Sequence, residues 1–96
     1  VRYIVEKYRF NELRTLDTVR SHIDRTYNQH YAHGKYQATD MIVDSGHGEG
    51  FCIGNIMKYA MRYGKKDGKN PEDLLKIIHY AMIAMYCHEQ GKKDDE

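Results

Sequence analysis

The chain has 96 residues, 41% hydrophobic and 30% charged, with fifteen Lys and Arg against fourteen Asp and Glu. That is an ordinary globular composition and the length of one small domain. A net charge of +1 argues against strong non-specific nucleic-acid binding, and no run of about 18 apolar residues suggests a membrane span. No signal peptide is visible, and the opening Val1 suggests a trimmed chain or a fragment. Cys52 and Cys87 lack CxxC spacing and read as reduced cytosolic thiols. Nine tyrosines and no tryptophan suit interfaces and polar pockets without choosing between them.

Residues 2–27 contain neither Gly nor Pro and predict one long helix or two shorter ones. Leu13, Leu16, Val19, Ile23 and Tyr27 form an apolar stripe, and the other face is charged. Residues 28–38 lose the periodicity and read as a loop. Thr39 is placed to cap a short helix over Asp40–Asp44. Ser45–Gly50, with three glycines in six residues, reads as a flexible turn; it matches neither a P-loop nor a Rossmann fingerprint.

The stretch from Phe51 to Tyr80 predicts a helical hairpin. In its first helix Ile53, Ile56, Met57 and Ala60 share one side, while Asn55, Lys58, Tyr59 and Arg62 share another. Gly64 stops that helix, and Lys65, Lys66, Asp67, Gly68 and Lys69 form the connection. Asn70 is an N-cap, Pro71 opens the second helix, and Glu72 and Asp73 suit its first turn. That helix is expected to run to about Gln90 and end at Gly91, with a disordered charged tail over 92–96. No stretch alternates at period two. The expectation is therefore one all-α domain with a long N-terminal helix, a short helix and a C-terminal antiparallel hairpin, completed by association into a homo-oligomer.

Several blocks resemble a family of tailed-phage proteins described as nucleotide kinase-like. They are the HY pair His30–Tyr31, YQATDMI from Tyr36 to Ile42, FCIGNIMKYAMRYGKKDG from Phe51 to Gly68, and EDLLKIIHY from Glu72 to Tyr80. Together they cover about half of the chain. The resemblance implies a phage enzyme acting in the cytoplasm of the infected host. Its reaction would be phosphoryl transfer to a deoxynucleoside monophosphate, dTMP or dGMP, from a nucleoside triphosphate without a Walker-type loop. Mg²⁺ would enter with the nucleotide, held by phosphates. The chain departs from the family pattern at AHGKYQ after Tyr31 and at His79, where tryptophan is frequent.

Phosphoryl transfer needs positive charge and positioning more than covalent chemistry. Lys58 and Arg62, four residues apart, present two cations on one helix face, and Lys65 extends the set. Asp73 would orient Arg62 or act as a base, and His30 would bind phosphate or shuttle a proton. Tyr31, Asn55, Tyr59, Lys76 and Tyr80 would complete the substrate pocket. The phosphate would lie by Lys58, Arg62 and the backbone amides of 70–73, the base by Asn55 and Tyr80, and His30–Tyr31 would close one side. The structural alternatives are an Arg62 and Lys58 ion-pair network with Glu72 and Asp73, and a buried register hydrogen bond from Asn55. No metal set is expected: the pairs His30/His33 and His47/Glu49 sit on predicted loops. Two further functions compete. One is nucleotide binding or sequestration without catalysis; the other is a helical triphosphate pyrophosphatase, whose EExxE carboxylate run is missing here.

Overall fold

A computed structural model describes residues 7–30 and 38–94, with side chains described over 7–29 and 38–91. Four helices follow one another: α1 Glu12–His30, α2 Ala38–Asp44, α3 Gly48–Arg62 and α4 Pro71–Asp94. The fold is all-α. No helix among the described residues is long and apolar enough to cross a membrane.

α1 starts at Glu12, so the 2–27 stretch is not one long helix; residues 2–6 lie outside the described residues. Asn11 takes a left-handed φ of 57°, which sets the chain's direction into the helix, and the Phe10 N–H donates to Glu12 Oε1 at 3.0 Å. Asn tolerates this conformation better than most residues. The buried stripe of α1 is also rotated from the expected one. Val19 and His22 are buried, while Leu16 is 62% exposed. α1 runs on through Asn28 and Gln29, which the sequence reading had assigned to a loop. Tyr31, His33, Tyr36 and the side chain of His30 lie outside the described residues.

α2 begins at Ala38, so Thr39 is inside the helix and does not cap it. The expected flexible turn over Ser45–Gly50 is shorter. Gly46, at φ 90°, makes the turn, and α3 already begins at Gly48. Gly48 is buried for a steric reason: a Cβ there would lie 2.6 Å from Cys87 Sγ and 3.1 Å from Val43. Glycine at this point lets α2, α3 and α4 approach one another.

α3 and α4 form an antiparallel hairpin, since Gly48 meets Cys87 at one end and Arg62 meets Asp73 at the other. Gly64, at φ 86°, ends α3 as expected, and the Gly64 N–H closes the loop on the Gly68 carbonyl at 2.9 Å. Asn70 caps α4, its Oδ1 accepting the Glu72 N–H at 3.0 Å, and Pro71 is the first helical residue. Gly91 does not stop α4, which continues to Asp94 in place of the expected disordered tail.

The hairpin interior is built from the Tyr59 side of α3, the side expected to face Asp73, Lys76 and Tyr80. Cys52 and Tyr59 are buried between the helices, while Ile53 and Met57 on the opposite, apolar side are 48% and 59% exposed. The Asn55, Lys58, Tyr59, Arg62 stripe is therefore the side of α3 nearer α4. α1 joins through α4: His22 lies 3.5 Å from Glu72 and its ring stands edge-on to His79 at 5.8 Å, with Arg25 3.7 Å from Glu72.

Candidate functional site

The site is built around Tyr59, 8% exposed in the hairpin. Three cations converge on its ring: Lys58 Nζ at 5.0 Å, Lys76 Nζ at 5.1 Å and the Arg62 guanidinium carbon at 5.7 Å from the centroid. Tyr80 stacks on Tyr59 at 6.1 Å and 15°, and Phe51 meets Tyr80 edge-on at 5.7 Å. Each cation–ring contact is worth about 0.5–1 kcal/mol when exposed. The rings thus form a floor over which positive charge is held. Burial, then the neighbouring Tyr59 and Cys52, push the Tyr80 phenol pKa up, so it remains a hydroxyl donor.

Arg62 is anchored. Its Nε lies 3.6 Å from Asp73 Oδ1, and Asp67 Oδ2 is 4.0 Å from its terminal nitrogen. Asp73 is 3% exposed and its carboxylate faces Arg62, which closes it to direct contact from solvent. Arg62 Nε and Asp73 Oδ2 are buried without a hydrogen-bond partner among the described residues. Lys58 and Lys76 have no carboxylate within ion-pair distance among those residues, because Glu72, the expected partner for this face, is engaged by His22 and Arg25 of α1.

One expected component does not assemble. The backbone amides at the start of α4 are already used: Asn70 N–H on Gly68, Glu72 N–H on the Asn70 side chain and Asp73 N–H on the Asn70 carbonyl, while Pro71 has none. They offer no anion cradle. Asn55 Nδ2 donates to the Phe51 carbonyl at 2.9 Å, one turn back on its own helix. Lys65 is exposed in the loop after α3.

A cleft of about 390 Å³ between α1, α2 and α4 escaped the sequence reading. Tyr27, His79, Met82 and Tyr86 give it aromatic and apolar walls, and Asp40 and Asp44 bring carboxylates. Burial, then the charge of His22, lowers the His79 pKa and keeps the imidazole neutral near pH 7. The available signal was the i, i+3, i+7 recurrence of His79, Met82 and Tyr86, which the apolar run along α4 masked. Among the described residues no group of three His, Cys, Asp or Glu is placed to hold a metal ion.

The family model described as protein of unknown function, DUF3310, matches residues 25–82. The chain belongs to the DUF3310 family. The DUF3310 region contains every candidate residue from His30 to Tyr80 and most of the cleft, but only the last turns of α1. This match corrects the resemblance to nucleotide kinase-like phage proteins: the family shown is one of undescribed function, and nothing in the comparison points to a nucleotide kinase family. No curated protein and no solved structure matches the chain.

Proposed function

We propose that the chain binds a nucleotide, with its phosphate held by Lys58, Lys76 and Arg62 over the Tyr59 ring. The observation that carries this reading is the convergence of three cations on one buried ring, only one of which has a carboxylate partner. Concentrating like charges is unfavourable unless an anion joins them, and each charge-assisted contact to a phosphate is worth about 1.5–3 kcal/mol. The cleft suits the base. His79 follows Lys76 on α4 by one turn, about 4.5 Å, and the cleft's rings and the Asp40 carboxylate fit a flat heterocycle with N–H donors.

Phosphoryl transfer to dTMP or dGMP from a nucleoside triphosphate is the reaction we propose for such a site, with Mg²⁺ carried on the donor's phosphates. Binding without turnover is the second reading, favoured by the burial of Asp73 against Arg62, which keeps that carboxylate from reaching a substrate as a base. The absence of a grouped carboxylate set among the described residues weighs against a pyrophosphatase. We also propose a homo-oligomer in the cytoplasm, in keeping with two unpaired cysteines. The test is binding of dTMP and dGMP at two ionic strengths, followed by incubation with a triphosphate donor. Salt-sensitive binding supports the site, and diphosphate product selects transfer over sequestration. Failure of both nucleotides to bind at low salt rejects the proposal.

A further inference from the structure

The cleft between α1, α2 and α4 is opposite in charge to the Tyr59 face. Asp40 and Asp44 bring two carboxylates to it, and neither Lys nor Arg lines it among the described residues. The two aspartates are four apart and share one face of α2. Asp40 is half-buried and makes no ion pair among the described residues. Tyr27 and Tyr86 on the walls are 49% and 55% exposed, which leaves their rings within reach of a flat ligand. A nucleotide with its phosphate at Lys58, Lys76 and Arg62 would bring only its base to these carboxylates. The inference below rests on that reading and decides which base it is.

A carboxylate offers two acceptor oxygens side by side and no donor. Guanine is the common base whose pairing edge sets two N–H donors next to each other, N1–H and the 2-amino group. Thymine sets one N–H between two carbonyl oxygens, which a carboxylate repels. Adenine and cytosine set a ring-nitrogen acceptor beside their amino group. We propose that the cleft selects guanine, with the Asp40 carboxylate accepting N1–H and the 2-amino N–H, so that dGMP is the preferred nucleotide. His79 supports the same choice from α4. Burial and then His22 lower its pKa, and a neutral imidazole has one N–H to donate to guanine O6. Tyr27 and Tyr86 add stacking, which strengthens binding without choosing the base.

Calorimetry of the full chain with dGMP, dIMP and dTMP at low salt tests the assignment. dIMP is dGMP without the 2-amino group, so the pair differs in one of the two donors and in nothing that touches the phosphate. The wild type is expected to bind dGMP about tenfold or more tighter than dIMP, the loss of one hydrogen bond to a charged acceptor, and to bind dTMP more weakly than either. Asp40→Asn keeps the side chain's size and turns one acceptor oxygen into a donor. It is expected to erase the difference between dGMP and dIMP while circular dichroism keeps the helical signal. Equal binding of dGMP and dIMP by the wild type, which needs no variant to fold, would overturn the guanine assignment. So would a folded Asp40→Asn chain that keeps the full preference. If all three nucleotides then bind equally and salt-sensitively, the phosphate site stands without the base assignment; if none binds, both fall.

Discussion

Arg62→Ala separates structural from binding roles on the cationic face. The substitution leaves Asp73, 3% exposed, without its cation. At 3.6 Å the pair is a charge contact beyond hydrogen-bond range, worth about 4–5 kcal/mol at an effective dielectric constant of about 20. Arg62 keeps 27% of its side chain exposed, so water reaching the carboxylate recovers part of this. We expect a cost of about 3 kcal/mol, at the low end of the range for breaking a buried pair. For a domain of this size that lowers Tm by about 12–24 °C. Lys58→Ala, which removes only a cation–ring contact, is expected to cost at most about 1 kcal/mol. Urea unfolding followed by circular dichroism measures both, and a double-mutant cycle with Asp73→Asn isolates the coupling. A loss below about 1 kcal/mol for Arg62→Ala, equal to that for Lys58→Ala, would refute the anchoring argument.

The other expectations follow from the same contacts. Lys58→Ala and Lys76→Ala each weaken dTMP or dGMP binding about tenfold with little change in Tm, as calorimetry and thermal melts can show; a matching loss of stability would make the lysines structural. His79 is held below its ordinary pKa of 6.5 by burial and then by His22, so the unfolded chain takes up that proton first. Its contribution to stability is complete above about pH 6.5 and is lost as the pH falls through the folded value. Melts between pH 8 and pH 5 should show that decline in the wild type and a flatter profile in His79→Phe. Gly48→Ala gains about 1 kcal/mol of helix propensity but drives a Cβ to 2.6 Å from Cys87 Sγ. The net expectation is a loss of about 1–2 kcal/mol, and a stabilised variant would show that Cys87 can swing clear.

Local chemistry made much of the fold legible. Gly64, Asn70 and Pro71 marked the hairpin because each has a backbone or capping preference that acts without tertiary context. On α3, apolar residues lie on one side and Tyr59 on the other, so apolar periodicity alone does not point to the side that packs on α4. A tyrosine among Lys58 and Arg62 looks polar in a periodicity count, yet its ring is buried between the helices. Gly48 was misread because a glycine chosen for close packing is indistinguishable in sequence from one chosen for a turn. His22 was hidden for a related reason: its burial depends on Glu72 and His79, both on α4, about fifty residues or more along the chain. The anion cradle expected at 70–73 failed because Asn70 and Gly68 satisfy the same amides within the loop. The Lys58, Arg62, Asp73, Lys76 and Tyr80 cluster was recoverable because spacings of three and four on two helices and a short antiparallel connection determine which turns face each other.

The most direct test of the nucleotide site is amide chemical-shift mapping of the labelled full chain during titration with dTMP and dGMP. The largest changes are expected along Lys58–Tyr63 and Asp73–Tyr80, extending into the cleft at Met82 and Ile83, and disappearing in a Lys58→Ala, Lys76→Ala double variant whose spectrum remains folded. Changes that leave Tyr59 and Lys76 untouched, or that persist unaltered in the double variant, would contradict the proposed site.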